Sequence, residues 1–357
     1  MHGNRSANRS STREASDGLR NRAGYLPADR CLAIHRLMVR SRVMEERMIK
    51  MSKSGEGFFW IGGPGEEAFN IPLGLQVKKG EGPDFDYLHL HYRNSSTLVA
   101  MGLPLVDCVR QMAMTRTDPF SMGRNFPSHF CRKDWNVLPV SSVIEVQFAM
   151  APGTALVQKR HGGDGVTIVV GGEAGTAEGD FATCMIWSTR PGRELPVLMI
   201  VMNNGWGIST SHASQHSVAA LTDRGKPFGM SGEVVDGNDP IASWFAIEKA
   251  LHHCRNERGP YMLEARVSRL YGHSSSSGAP RSNDPDCLLD LEAKLVDAGI
   301  LDQHEIARIH HEAKEEADAA VEQVATEPRP TADDVEKFIY APSPVDKVYP
   351  GDYTGLP

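Results

Sequence analysis

A chain of 357 residues, 40% apolar and 23% charged, has the composition of an ordinary folded protein and the length for one α/β domain with extra helices. A net charge of −7 argues against nucleic acid as the main partner, and no run of about twenty apolar residues exists to span a membrane. The six cysteines show no Cys-x-x-Cys pair and no zinc-type spacing with histidine, so they read as free thiols in a reducing compartment.

Residues 1 to 27 are rich in Arg, Ser and Asn. The acidic Glu14 and Asp17 and the lack of an apolar face read as a disordered or extended tail rather than a transit peptide. From 28 to about 51, Leu32, Ile34, Leu37, Met38, Met44 and Met48 recur at helical spacing. A glycine-rich loop around Trp60 follows, then a helix over 66–76, a short strand over 87–92 and a helix with Pro104 in its first turn. The stretch 145–161 reads as a helix with a small-residue face and a bend at Pro152. Strands over 166–172, 196–203 and 261–267 alternate with helices over 177–190 and 240–256, which predicts a doubly wound, mostly parallel sheet flanked by helices. Beyond Asp284 come helices over 286–298 and 303–326, the second expected to be solvated or at an interface. A proline-rich extended arm then covers 327–357, leaving 28–326 as the domain.

The strand 166–172 runs into Gly171-Gly-Glu-Ala-Gly-Thr-Ala-Glu-Gly-Asp-Phe181, and the strand 196–203 into Asn203-Asn-Gly-Trp-Gly-Ile-Ser-Thr210. Ligands of open α/β sheets bind at such strand ends. Magnesium takes a few protein oxygens plus phosphate oxygens and water. Glu173 offers a carboxylate, Asn204 an amide oxygen and Trp206 a backbone carbonyl, while the glycines and the following helix N-terminus suit a diphosphate. Alone, each half is also compatible with an ordinary βα connection and a plain Asn-Gly turn.

Together, in this order, the two halves resemble the thiamine diphosphate motif. With Trp60-Ile-Gly-Gly-Pro-Gly-Glu-Glu-Ala68, His91-Tyr-Arg93, Gly123-Arg-Asn-Phe-Pro-Ser-His129, Val140-Ser-Ser-Val-Ile-Glu-Val-Gln147 and Arg269-Leu-Tyr-Gly-His-Ser274, the chain resembles the alpha subunit of the thiamine-dependent decarboxylating component of 2-oxo acid dehydrogenase complexes. The resemblance covers about residues 30–340. It implies decarboxylation of a 2-oxo acid, pyruvate or branched-chain, with the acyl group passing to the lipoyl group of an acyltransferase partner. It also implies an alpha2-beta2 heterotetramer whose beta subunit supplies the glutamate that activates thiamine.

By the same resemblance Tyr92, Arg93, Ser142, Glu173, Ala174, Gly175, Asn204 and His273 hold thiamine diphosphate, with Glu173, Asn204 and Trp206 on magnesium and His273 assisting catalysis. His129 is either a lining residue of the substrate entrance or an ordinary satisfied histidine. Ser274 aligns with a serine that mitochondrial relatives phosphorylate. In the segment where relatives form a potassium site, Val143 and Val146 replace side-chain oxygens while Ser141 and Gln147 remain, so potassium stays open. Met202 stands where some relatives carry a diphosphate-binding Arg, leaving Arg93 to supply that charge. An acetoin dehydrogenase alpha subunit and a non-catalytic structural subunit are the alternatives. The expected compartment is the bacterial cytoplasm, or the mitochondrial matrix in a eukaryote.

Overall fold

The computed structural model describes residues 16–335 and 337. Its centre is a five-stranded, all-parallel sheet in the order β3-β4-β5-β9-β8. The strands are β3 (Tyr87–His89), β4 (Thr167–Gly172), β5 (Val197–Asn203), β8 (Ser231–Asp236) and β9 (Tyr261–Arg266). The expected strands at 166–172, 196–203 and 261–267 are β4, β5 and β9. The edge strand β8 was not anticipated, and β3 is shorter than the expected 87–92.

The middle strands carry apolar side chains on both faces because helices cover both. Val169, Val197, Met199 and Val201 pack with Phe148 and Phe181 of α5 (Val146–Arg160) and α6 (Gly179–Ser188). Ile168, Val170, Leu198 and Ile200 pack on the other face with Ile247, Ala250 and Leu251 of α8 (Pro240–Asn256) and with residues of α1 (Ala28–Ser54), α2 (Glu67–Gln76), α3 (Ser95–Ala100) and α4 (Leu105–Met112). The side-chain period of two divides each strand between two cores.

Before this layer, β1 (Gly18–Arg20) and β2 (Tyr25–Pro27) form an antiparallel hairpin with Leu19 and Leu26 buried. Residues 18–27 of the expected tail are therefore ordered on the core, and residues 1–15 lie outside the described residues. Pro104 sits at the N-cap of α4, one residue before the position expected. After Asn203 come the short strands β6 (Trp206–Gly207) and β7 (Thr210–Ser211) and the one-turn helix α7 (His212–Gln215).

The helices α9 (Cys287–Asp297) and α10 (Gln303–Ala325) follow, with a short α11 (Ala332–Val335). A capping box starts α10, in which Asp302 Oδ1 accepts the Glu305 amide and Glu305 Oε2 accepts that of Asp302. Expected to be solvated or at an interface, α10 instead buries Ile306, Ile309, Ala313, Ala317, Ala320, Val321 and Val324, chiefly against α1 and α4. Small side chains let it lie close. The arm from 338 onward lies outside the described residues.

Candidate active site

The turns after β4 and β5 meet at one cavity of about 610 Å³, at the carboxyl ends of the parallel strands. Tyr92, Arg93, His129, Ser142, Glu173, Ala174, Gly175, Asn204, Trp206 and His273 all line it, so every residue nominated above for thiamine diphosphate, magnesium or catalysis is on its wall, while Ser141 and Gln147 are not.

Local hydrogen bonding sets the directions. Asn203 Nδ2 donates to Glu264 Oε1 of β9 at 2.8 Å, and Asn203 Oδ1 accepts the Gly205 amide at 3.1 Å. Gly205 has φ +80°, which suits glycine, and this turn sends Asn204 into the cavity. Asn204 Oδ1 accepts the Trp206 amide at 3.2 Å, and its Nδ2 donates to Glu66 Oε1 at 3.4 Å. On the other side, a 3₁₀ turn over Ala174–Ala177 comes first and α6 starts at Gly179, later than the expected helix start near 177. The backbone amides beyond the end of β4 are thus those of a tight turn followed by the helix.

Glu173 is 1% exposed, and its Oε1 has no hydrogen-bond partner among the described residues. Burial raises its pKa to about 7, against the opposing pull of the backbone amides of Glu173, Asn204 and Trp206 and of Arg93. An unpaired buried carboxylate oxygen facing a cavity lacks a cation or a proton. The space in front of Gly172 is open, since a Cβ there would meet nothing within 4 Å. An oxygen-seeking divalent ion carrying a diphosphate fits both features.

Arg93 is buried. It donates through Nη1 to the Gly62 carbonyl and through Nη2 to His273 Nδ1 at 3.0 Å and the His273 carbonyl at 3.3 Å. His273 Nδ1 is therefore the acceptor, and in the neutral ring the proton sits on Nε2. Burial, then Arg93 and Arg269, lower the His273 pKa to about 4. The ring stands edge-on to Tyr92, with centroids 6.2 Å apart. Its serine loop, expected to be poorly anchored, is tied by polar contacts: the Ser275 amide donates to the Trp60 carbonyl and Ser275 Oγ accepts the Trp60 amide. Ser274 is buried and accepts the Ser276 amide.

His129 Nδ1 lies 3.1 Å from the Pro127 carbonyl, so that nitrogen carries the proton, and Nε2 accepts the Ser142 hydroxyl at 2.6 Å. Ser142 keeps its oxygen lone pairs for a donor. In the segment considered for potassium, Ser141 Oγ accepts the Val143 amide and Gln147 Nε2 donates to the Val170 carbonyl.

Sequence reasoning assigned no role to three residues here. Glu66 and Glu145 line the cavity, each buried with Oε2 unpartnered among the described residues, and burial raises their pKa values to about 7 and about 8. Arg269 has a buried Nη1 with no partner among the described residues and lies within electrostatic reach of Arg93 and Glu173. All three stand in the quoted motifs. The missing signal was burial, which a motif does not carry.

A parallel α/β sheet with a cavity at the carboxyl ends of its strands, walled by a glycine-rich turn and buried carboxyls, defines the class of open α/β ligand-binding folds. The chain belongs to the dehydrogenase E1 component family, whose model matches residues 35–333. It is 28% identical over 317 residues to the 2-oxoisovalerate dehydrogenase subunit alpha of Bacillus subtilis (strain 168), covering 84% of this chain and 94% of that one. To the pyruvate dehydrogenase E1 component subunit alpha of the same organism it is 27% identical over 329 residues, 89% of this chain and 84% of the relative. The human mitochondrial 2-oxoisovalerate dehydrogenase subunit alpha is 25% identical over 330 residues, 90% and 72% of the two chains.

Proposed function

We propose that this chain is the alpha subunit of a thiamine diphosphate-dependent 2-oxo acid dehydrogenase, acting on pyruvate or a branched-chain 2-oxo acid and passing the acyl group to a lipoyl carrier. The observation that carries the reading is the convergence of Glu173, Asn204, Trp206, Arg93 and His273 on one cavity at the β4 and β5 ends. Relatives named as 2-oxoisovalerate and pyruvate dehydrogenase alpha subunits support the substrate class. When bound, thiamine diphosphate supplies the carbon nucleophile and the electron sink for decarboxylation.

The protein's own part is placement. Glu173, Asn204 Oδ1 and the Trp206 carbonyl would hold magnesium, and the cation would draw the Glu173 proton off. Ala174, Gly175, Ser142 and Tyr92 would cradle the cofactor. The Arg93 guanidinium adds positive charge to the wall while holding His273 Nδ1, so His273 presents Nε2–H to an oxygen that becomes more negative in the reaction. A beta subunit would close the cavity and a lipoyl-bearing acyltransferase would take the product. The bacterial cytoplasm, or the matrix in a eukaryote, is the compartment proposed. Among the described residues no helix is long and apolar enough to cross a membrane.

The test uses the chain co-expressed with its beta partner on pyruvate, branched-chain 2-oxo acids and acetoin. Glu173→Ala should abolish magnesium-dependent binding of thiamine diphosphate by calorimetry; wild-type affinity would remove Glu173 from the site. His273→Ala should leave that affinity and lower turnover by about a hundredfold to a thousandfold. Unchanged turnover at saturation would reduce His273 to a wall residue.

A further inference from the structure

Away from this cavity, three side chains from three helices converge. His35 of α1 and His310 of α10 both direct Nε2 at Glu292 Oε1 of α9, at 3.0 and 2.7 Å. One ligand atom from each residue lies within 4.8 Å of the others. We propose that His35, Glu292 and His310 form a metal site for zinc or a similar borderline divalent ion, pinning α9 and α10 to α1.

Two imidazole nitrogens and one carboxylate oxygen are a donor set zinc accepts, and three protein ligands leave a fourth position for water. A tetrahedral ion with bonds of about 2.0–2.1 Å needs ligand atoms about 3.3 Å apart, so the two nitrogens, at 3.0 and 2.7 Å from Glu292 Oε1, have to withdraw from it by about 0.3 and 0.6 Å. The donors are set in a low-dielectric wall. The His35 side chain is fully buried and that of Glu292 is 12% exposed, whereas that of His310 is 36% exposed and gives an ion a way in. His35 Nδ1 has no partner among the described residues, so the ring's polar contacts lie wholly on the Nε2 side, towards Glu292. Both imidazoles share Oε1, which leaves Oε2 able to turn to a cation.

The site differs in chemistry from the oxygen-rich cradle at Glu173, and the two are separated by ion preference. The tag-free full-length chain, in excess magnesium, is titrated with zinc against a chromophoric chelator and with cobalt(II) in the visible. The expected result is one bound equivalent, an intense tetrahedral cobalt spectrum and a zinc-dependent rise in melting temperature. His310→Ala and Glu292→Gln should weaken zinc binding by roughly tenfold or more, since even outer-shell losses cost about 10–100-fold. The first residue is half-exposed and the second substitution keeps its shape, so both variants should match wild type in circular dichroism without metal. Absence of competition with the chelator, or equal zinc affinity in wild type and both variants, overturns the proposal.

Discussion

Glu145 is a carboxyl in an unusual place: it precedes α5 with φ +62°, is 3% exposed, and lies so close to the strand-end turn that a Cβ on Gly171 or Gly175 would collide with it. Burial, reinforced by Glu173, Glu178 and Asp180, lifts its pKa from 4.5 to about 8, against the Gly172 amide. A carboxyl with a raised folded pKa adds stability that is fully present below the unfolded value and lost as pH rises through the folded one. Glu66 and Glu173 act in the same direction near pH 7, while buried His89, lowered to about 4, works oppositely and only below its ordinary 6.5. Above pH 6.5, where the histidine contribution has ended, the chain without added ions should therefore go on losing melting temperature up to about pH 8, and Glu145→Gln should flatten that loss. An equal slope in the variant would show that Glu145 titrates normally. A second residue-scale prediction concerns Arg42. Its Nε and Nη2 pair with Glu67 at 2.6 and 2.9 Å, and its Nη1 with both Asp286 oxygens at 3.0 and 2.9 Å, all buried or nearly so. Arg42→Met strands the buried Glu67 carboxylate, while Asp286 keeps Arg281 at 2.6 Å, and should cost about 3–5 kcal/mol, read from a urea midpoint.

Among the elements, β5 announces itself as a nearly unbroken apolar run, and β4 and β9 by the shorter runs Ile168-Val-Val170 and Tyr261-Met-Leu263, because central strands of a sheet covered on both faces are buried over almost their whole length. By contrast, β8 reads Ser-Gly-Glu-Val-Val-Asp and is mostly exposed; as an edge strand it needs one covered neighbour, and its sequence has the polarity of a loop. Misreading α10 had the opposite cause. Its buried stripe relies on Ala313, Ala317 and Ala320, whose small side chains leave a weak hydrophobic pattern yet permit close approach to α1. Ala317 is 1% exposed, so Ala317→Leu should overpack this seam and cost about 1–3 kcal/mol, whereas the same change at a solvated position would be near neutral. Chemical denaturation separates the two. The site followed the same division: the residues carried by motifs were legible, but the partners that fix their roles were not, since His129 meets Ser142 13 positions away and His273 takes its tautomer from Arg93, 180 positions away.

Across the whole molecule, the cavity's rim is apolar and open. Phe126, Ile144, Trp206 and Ile208 line it while 43–62% exposed. Exposed apolar side chains grouped at a cavity mark a surface meant to be covered. On the proposed reading the purified chain alone should not decarboxylate any 2-oxo acid with magnesium and thiamine diphosphate, and should gain activity with its beta partner. An artificial electron acceptor and light scattering decide this, and a fully active homo-oligomer would overturn the subunit assignment. The helix α1 ties these scales together: His35 reaches Glu292, Arg42 reaches Glu67 and Asp286, and Glu45 accepts from Trp60 at 2.8 Å beside the Arg93-bearing loop. A helix turns about 100° per residue, so deleting one residue between His35 and Glu45 would swing one group of contacts away from its partners however conservative the remaining sequence. Length variation among chains of this design should then fall in the connecting loops and spare this eleven-residue stretch, as a gauge tolerates paint on its handle but no filing between its marks.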